Sequence, residues 1–508
     1  MDATISGPGV PTSPGGARRG RYLFFVLASF GLLMASINHT MVAVALPSMT
    51  QSLDVSLAWV SWTLTASQLA MIVAMPVVGR LSDTFGRKQV FMFCVGSFTV
   101  GSLLSAVAPN VWTLIIFRAI QGIGAGGLMP SAVGIVSDQF EERRNQAIGL
   151  FASVFPIGGL LGPNLAGWVL EHWSWRELFL VNLPIGVLVL IGGQVLLRGD
   201  RRPGQRPRFD TLGLALFVSG MIAIMYAMTL AGSDPGAWRG PLFWALLIAG
   251  VLAFLLMALQ ERRAEDPMLD LKLVAQGPFL PANIYNFAFG ACIFGFFSFV
   301  PYYAVIQYGM SSIQVGAVLT PRALTGIIVS GLTSILLIRL GYRFPMIVGI
   351  ILVSISLGML SLGWDQATIG PLEVDAFWLL ASMLVLSGLG QGMAAPASNN
   401  ACIDLVPGKA AAVSGLRGMF RNIGSIMGIS STVLVLSFFE DKAAGMRSVY
   451  LAMALVLLLA VPLTLMIPDM ARERRRERAA GRVARREGQA AAADSPGQVA
   501  RPGEDLLG

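Results

Sequence analysis

Charge is what this sequence has least of. Only 13% of its residues are Asp, Glu, Lys or Arg, against about a quarter in an ordinary soluble domain, and that shortage excludes a water-soluble globular fold. Cysteine is scarce too. Cys94, Cys292 and Cys402 each lie inside an apolar run; an odd number without metal-ligand spacing points to small buried hydrophobes and not to a disulfide scaffold or a metal site. There are two histidines, His39 and His172. A further absence bears on function: Asp138 and Asp404 fall at one end of their apolar runs and Glu171, Glu177 and Asp375 near the other, so no carboxylate stands at mid-run.

What the chain does have is hydrophobic length. Hydrophobic residues make up 55% of it and the mean hydropathy is +0.69. Fourteen runs come close to the roughly 20 residues needed to cross a bilayer: 22–47, 57–80, 89–108, 111–137, 146–170, 176–197, 211–232, 240–260, 280–307, 313–338, 344–363, 375–402, 410–438 and 446–468. Runs this long and continuous are too long for barrel strands, and in lipid only helices or closed barrels satisfy their own backbone groups. The fold class expected is an all-α membrane bundle. "GARRGRYLFFVLASFGLLMAS" at the start has the regions of a signal peptide, but its apolar run continues to Pro47, so a first membrane helix after a short polar tail is expected.

A formal charge of +8 and a pI of 9.7 invite a nucleic-acid reading, and the placement of the charges removes it. With an even number of spans both termini share a side, and 28 of the 36 Lys and Arg fall on that side. Arg176, Arg239, Lys442 and Arg447 fall opposite, and Arg118, Arg322, Arg417 and Arg421 inside spans. The bias is a positive-inside signal that makes both termini cytoplasmic.

Shifting the sequence against itself by 266 positions aligns 121–150 with 387–416 without a gap. Gly122, Gly124, Gly126, Pro130, Asp138, Gly149 and Leu150 fall on Gly388, Gly390, Gly392, Pro396, Asp404, Gly415 and Leu416. Span 4 then matches span 12 and span 5 matches span 13. The expected organisation is an N-tail (1–21), a six-helix half (22–197), two inserted helices (211–260) with a peripheral role, a second six-helix half (280–468) and a basic, partly disordered C-tail (469–508). Internal repeats of this kind mark secondary transporters with a site between the halves.

Several stretches carry chemistry. "GRLSDTFGRK" ends span 2, with Gly79 and Gly86 for a tight turn, Asp83 as a capping or pairing carboxylate, and Arg87 and Lys88. "GGLLGPNLAG" puts Gly158 and Gly162 on one face of span 5, followed by Pro163 and Gly167. Arg118 in "LIIFRAIQG" must face the interior and meet acceptors. Arg417 and Arg421, four apart on span 13, share a face, and without a mid-span carboxylate they either line a wet cavity or bind something anionic or carbonyl-rich. Arg322 in span 10 is read the same way. Candidate wall residues are Asn283, Tyr285, Asn286, Phe289, Phe296, Tyr302 and Tyr303 of span 9, Asn399 and Asn400 of span 12, and Trp62 and Gln68 of span 2.

The loop motif, "LIIFRAIQGIGAG", "GGLLGPNLAG", "WRELFLVNLPIG" and "TMVAVALP" together resemble the Major Facilitator Superfamily, and with fourteen helices the chain resembles its EmrB/QacA-type drug:proton antiporters over roughly 22–468. The resemblance implies the superfamily fold, efflux of hydrophobic or amphipathic small molecules across the plasma or inner membrane, and the proton gradient in place of a cofactor. It also implies a cytoplasmic gate at Gly79, Asp83, Gly86, Arg87 and Lys88, and an antiporter motif that discourages leak at Gly158, Gly162, Pro163 and Gly167. The partners expected are a small-molecule substrate and the lipid bilayer, with no nucleic acid and a monomeric carrier.

One position departs from the pattern. Where similar antiporters keep an aspartate in span 1, this chain has Asn38, and an amide carries no proton. His39 is the group within a span that titrates near neutrality, and it is expected to take over proton handling with Asn38 and Thr40 as hydrogen-bond partners. The alternative is a uniporter or a carrier not coupled to protons, moving an anionic, zwitterionic or neutral solute. A membrane enzyme using His39 as a base would need a second catalytic group near by, and none stands in a suggestive pattern.

Overall fold

The computed structural model describes residues 14–140, 143–197, 210–234, 236–264, 274–275, 277–369, 372–406 and 410–469. Among these residues fourteen helices are long and apolar enough to span a bilayer: α1 (Tyr22–Leu53), α2 (Leu57–Ser82), α3 (Arg87–Ala106), α4 (Val111–Ser137), α5 (Gln146–His172), α6 (Glu177–Leu196), α7 (Thr211–Ser233), α8 (Pro241–Glu261), α9 (Phe279–Tyr308), α10 (Ser312–Leu337), α11 (Arg343–Ser361), α12 (Ala376–Leu405), α13 (Val413–Ser437) and α14 (Lys442–Leu465). Each agrees with an expected run to within four residues except α1, which continues six residues past the expected end at Pro47. The additions are short: the first helix begins at Pro14, and a hairpin of β1 (Gln366–Ile369) and β2 (Leu372–Asp375), with Gln366 opposite Asp375, joins α11 to α12. The C-tail from 470 lies outside the described residues.

Glycine sets how the helices approach, and it does so twice. A Cβ at Gly122 or Gly126 of α4 would run into the α2 backbone at Ser67 and Met71, and one at Gly124 into α3 at Cys94 and Phe98. In the second half Gly388 and Gly392 of α12 stand in the same way against α10 at Arg322 and Gly326, and Gly390 against Gly349 of α11. The 266-residue offset continues past the aligned stretch. Gly158 and Gly162 of α5 abut Ser36, Ile37 and Thr40 of α1, while Gly424 and Gly428 of α13 abut Phe287 and Ala291 of α9. In a bilayer, where lipid tails compete equally for apolar side chains, such close backbone approach is a main source of helix association.

The α9–α13 contact has a local cause. Residues Gly290–Gly295 of α9 form a π-helical turn, a rare insertion that tends to occur at functional sites. A side chain at Gly290 would collide with the Arg421 carbonyl, and one at Gly295 would sit 3.0 Å from Gly428. The widened turn therefore packs backbone to backbone on the part of α13 that carries Arg421.

The inserted helices differ from each other, and α7 is not the peripheral element expected. Its Ala231 carbonyl accepts from Ser437 Oγ of α13 at 3.0 Å, its Thr229 Oγ1 accepts from Trp62 Nε1 of α2 at 2.8 Å, and Gly232 lies against both Ala58 and Val433. It thus touches both halves. By contrast α8 packs on α7 and exposes Leu242, Ile248, Leu252, Leu255 and Leu259, as a lipid-facing helix would.

Candidate functional site

Successive residues at the middle of α1 point to different neighbours, as a turn of about 100° per residue requires. Asn38 is buried and its Oδ1 accepts from Arg118 Nη1 of α4 at 3.1 Å. Arg118 also donates from Nε to the Thr63 carbonyl of α2 at 2.8 Å and from Nη1 to Gln121 Oε1, and its Cζ stands 5.6 Å from the Phe179 ring centroid. The chain of bonds continues: Gln121 Nε2 donates to Ser102 Oγ at 2.6 Å, which also accepts from Asn182 Nδ2 at 3.0 Å. One guanidinium thereby ties α1, α2, α3, α4 and α6 together. Placing an arginine at a helix centre costs at least ~2.5 kcal/mol, and charge-assisted bonds of about 1.5–3 kcal/mol each offset it. None of these acceptors carries a charge, so the positive charge itself is left standing.

His39 is half-buried and lies within Coulombic reach of Arg118 in its own half and of Arg421 across the divide. It makes no hydrogen bond among the described residues. The expected partnership with Asn38 and Thr40 is therefore corrected: Asn38 is committed to Arg118, and Thr40 Oγ1 donates to the Ile37 carbonyl at 3.1 Å and the Gly158 carbonyl at 3.4 Å. Thr40 belongs to the α1–α5 contact.

The second half holds three more arginines. Buried Arg417 donates from Nε to Asn399 Oδ1 at 3.1 Å and from Nη1 to Asn286 Oδ1 at 3.4 Å, and Asn286 also accepts from Ser398 Oγ at 2.9 Å. Buried Arg322 donates to Gln391 Oε1 at 2.7 Å and Ser387 Oγ at 3.4 Å, with its Cζ 3.7 Å from the Phe297 centroid. Arg421 differs from both. Its Nε is buried without a hydrogen-bond partner, its nearest ring is Phe294 of the π turn at 5.2 Å, and the charge close to it is another cation, Arg417.

The remaining expected wall residues divide. Tyr285 is fully buried, with its hydroxyl unpaired and its ring stacked on Phe289 at 5.8 Å, close enough to Arg417 to interact electrostatically. Tyr302 is half-buried and Gln68 is buried on α2. Several spend their donors within the bundle, though Asn283 Oδ1 is buried without a partner. Trp62 is turned to α7 by its Thr229 bond, Tyr303 Oη donates to the Leu360 carbonyl at 3.1 Å, and Asn283 and Asn400 each donate to the carbonyl four residues earlier in their own helices. The side chains of Phe296 and Asp83 lie outside the described residues. Gln121, Ser102, Asn182, Gln391, Phe294 and Phe297 were not singled out from the sequence; a polar residue one turn from a span arginine was the available signal for Gln121.

At the end of α2, Gly86 has φ 94° and makes the sharp turn into α3, whereas Gly79 sits inside α2 with nothing near it and takes no part in a turn. Arg87 Nη1 donates to the Gly134 carbonyl of α4. Lys88 Nζ donates to the carbonyls of Gln194 and Leu197 at 2.9 and 2.6 Å, a cation at the negative end of α6. The second half repeats the device: Gly341 has φ 76°, Arg343 Nε donates to the Ile467 carbonyl beyond α14 at 2.8 Å, and Tyr342 Oη donates to Asp404 Oδ2. On the opposite face the antiporter-like stretch joins the halves. Asn164 Nδ2 donates to Thr320 Oγ1 of α10 at 2.7 Å, a Cβ at Gly316 would lie 2.5 Å from the Pro163 carbonyl, and Gly167 stands against Ser312.

Two matching six-helix halves with a polar, arginine-rich site where they face each other define a multi-pass membrane transporter. Comparison with known proteins specifies the class. The sequence model of the Major Facilitator Superfamily matches residues 28–219, 211–429 and 287–496. The chain belongs to the Major Facilitator Superfamily, on the side of its drug-efflux type, and is a carrier of small molecules, not an enzyme.

Among its relatives is Multidrug resistance protein 3 of Bacillus subtilis, 30% identical, with the alignment covering 82% of this chain and 81% of that one. The tetracenomycin C resistance and export protein of Streptomyces glaucescens is 29% identical over 86% of this chain and 81% of its own. The riboflavin transporter RibZ of Clostridioides difficile is 28% identical over 83% and 89%. The fold matches a crystal structure of a POT family transporter in complex with 5-aminolevulinic acid at a TM-score of 0.65 and 14% identity, covering 88% of this chain and 96% of that one.

Proposed function

We propose that the protein exports amphipathic small organic molecules by alternating access, as a monomer in the cell membrane with the Lys- and Arg-rich face and both termini in the cytoplasm. The observation that carries this is the cross-half arrangement. Buried arginines stand on α4 of the first half and on α10 and α13 of the second, while α5 and α10 lie in contact on the face away from the basic loops. Closure on one face with a polar site below it supports a cytoplasm-facing state. The names of the relatives, which include resistance and export proteins, support the outward direction.

The test is a cross-link. Asn164→Cys with Thr320→Cys, oxidised in proteoliposomes, is expected to abolish efflux of a fluorescent dye and to recover it on reduction. Unchanged efflux after complete cross-linking overturns alternating access at this contact.

Proton drive through His39 is part of the proposal. The side chain is half-buried and makes no hydrogen bond among the described residues, which supports its being available to take up and release a proton. A second mode, export without proton antiport, is favoured by the neutral Asn38 in the acid's place, committed to Arg118. Flux that responds to a pH gradient in wild type and loses the response in His39→Ala supports the first; flux indifferent to the gradient supports the second.

A further inference from the structure

We infer that the polar site around Arg421 is built for an organic anion, a carboxylate, phosphate or sulfonate on an apolar scaffold, with Arg421 of the second half as its anchor. This rests on the transport function proposed above and specifies its substrate.

The site is short of negative charge. Arg118, Arg322 and Arg417 direct their donors to amide, hydroxyl and carbonyl oxygens, which satisfy hydrogen bonds without cancelling charge. The hydrogen-bond partners of Arg118, Arg322 and Arg417 are side-chain amide and hydroxyl oxygens and one backbone carbonyl, and Arg421 has none among the described residues. Among the described residues no carboxylate pairs with any of the four arginines. A cationic ligand at Arg421 meets the neighbouring guanidinium of Arg417 as well, whereas an anion supplies the charge the site lacks.

Arg421 also keeps unused donors. Arg118, Arg322 and Arg417 each spend donors on fixed partners, which makes them a positively charged framework. Arg421 makes no hydrogen bond among the described residues, and its Nε is held away from water unpaired. A buried donor without an acceptor is a standing penalty that a ligand oxygen removes. The planar fork of a guanidinium suits a two-oxygen acceptor.

Phe294 borders Arg421 and Phe297 borders Arg322, and half-buried Tyr302 lies further along α9. Aromatic surface beside a cation fits a ligand with an apolar body and an anionic end.

An anionic lipid offers the same headgroup chemistry, so the test separates the two sources. Purified full-length protein is assayed by thermal unfolding and intrinsic tryptophan fluorescence with 1-naphthoate, 1-naphthamide and 1-naphthylmethylammonium, which share a ring system and differ in charge. Assays run in phosphatidylcholine nanodiscs with and without phosphatidylglycerol, and ethidium and Nile red serve as cationic and neutral probes of efflux. We expect naphthoate to bind about ten- to a hundredfold more tightly than naphthamide, the value of one charge-assisted bond. We expect the ratio to collapse in Arg421→Gln, to survive in part in Arg421→Lys, and to hold in both lipid mixtures.

Equal binding of the three probes, or an unchanged ratio in a folded Arg421→Gln, overturns the inference. Loss of naphthoate binding only when phosphatidylglycerol is present assigns the site to lipid and overturns it as a substrate site. Efflux of ethidium and Nile red without naphthoate binding leaves the export function standing and removes the anion; no binding and no efflux removes both.

Discussion

Restoring the acid at Asn38 tests the buried charge most sharply. In Asn38→Asp an ionised carboxylate replaces an amide oxygen that lies 3.1 Å from Arg118 Nη1. At that separation and an effective dielectric of about 20 the attraction is about 5 kcal/mol, and burying the carboxylate removes several kcal/mol of it, so the net effect on stability is within about 2 kcal/mol of zero. Asn38→Leu keeps the volume but strands an Arg118 donor, which costs about 1–3 kcal/mol. Thermal unfolding in detergent should therefore rank Asn38→Leu below Asn38→Asp. In transport the aspartate takes one positive charge out of the cavity field. A unit charge at a distance on the order of 10 Å is worth about 1.7 kcal/mol at that dielectric, or more than tenfold in affinity. Naphthoate binding should fall by that factor and ethidium efflux should rise. Asn38→Leu as stable as wild type, or unchanged charge preference in a folded Asn38→Asp, would refute the role given to the Asn38–Arg118 bond.

Other perturbations follow from the packing. Gly158→Val should lower stability by about 1–3 kcal/mol and impair efflux, because its Cβ would sit 2.5 Å from Ser36; the neighbouring Gly159→Val, with nothing within 4 Å, should leave thermal unfolding and flux unchanged. Gly86→Ala should cost about 1–3 kcal/mol through its φ of 94°, measured by thermal unfolding. A double-mutant cycle of Trp62→Phe and Thr229→Val should return a coupling of about 0.5–1.5 kcal/mol for the 2.8 Å bond that holds α7 to α2. A coupling near zero would make α7 a passenger.

Most of the architecture was legible in the chain because lipid leaves so few options. A run of about 20 apolar residues must be a helix, and the glycines that aligned at an offset of 266 proved to be the points where α4 and α12 meet their neighbours. Arg118, Arg417 and Arg421 were readable for a similar reason, since charge in a span demands an explanation. What sequence could not supply was direction around the helix. Asn38, His39 and Thr40 read as one polar patch, yet Asn38 bonds to α4, Thr40 to α5 and His39 to neither. Trp62 read as cavity wall because aromatic residues suit walls, and the partner that turned it away, Thr229, is 167 residues distant. The π turn at Gly290–Gly295 gave no signal beyond two glycines, because it depends on the backbone of α13 pressing against it.

The claim on which the rest depends is that the site between the halves carries uncompensated positive charge and moves its ligand across the membrane. The direct measurement is flux of radiolabelled 1-naphthoate and 1-naphthamide, at equal concentrations, in oriented proteoliposomes of wild type and Arg421→Gln. We expect saturable naphthoate flux about tenfold or more above naphthamide in wild type, and equal, low flux of both in the variant. Equal flux of the two in wild type, or naphthoate flux that survives Arg421→Gln, would contradict it.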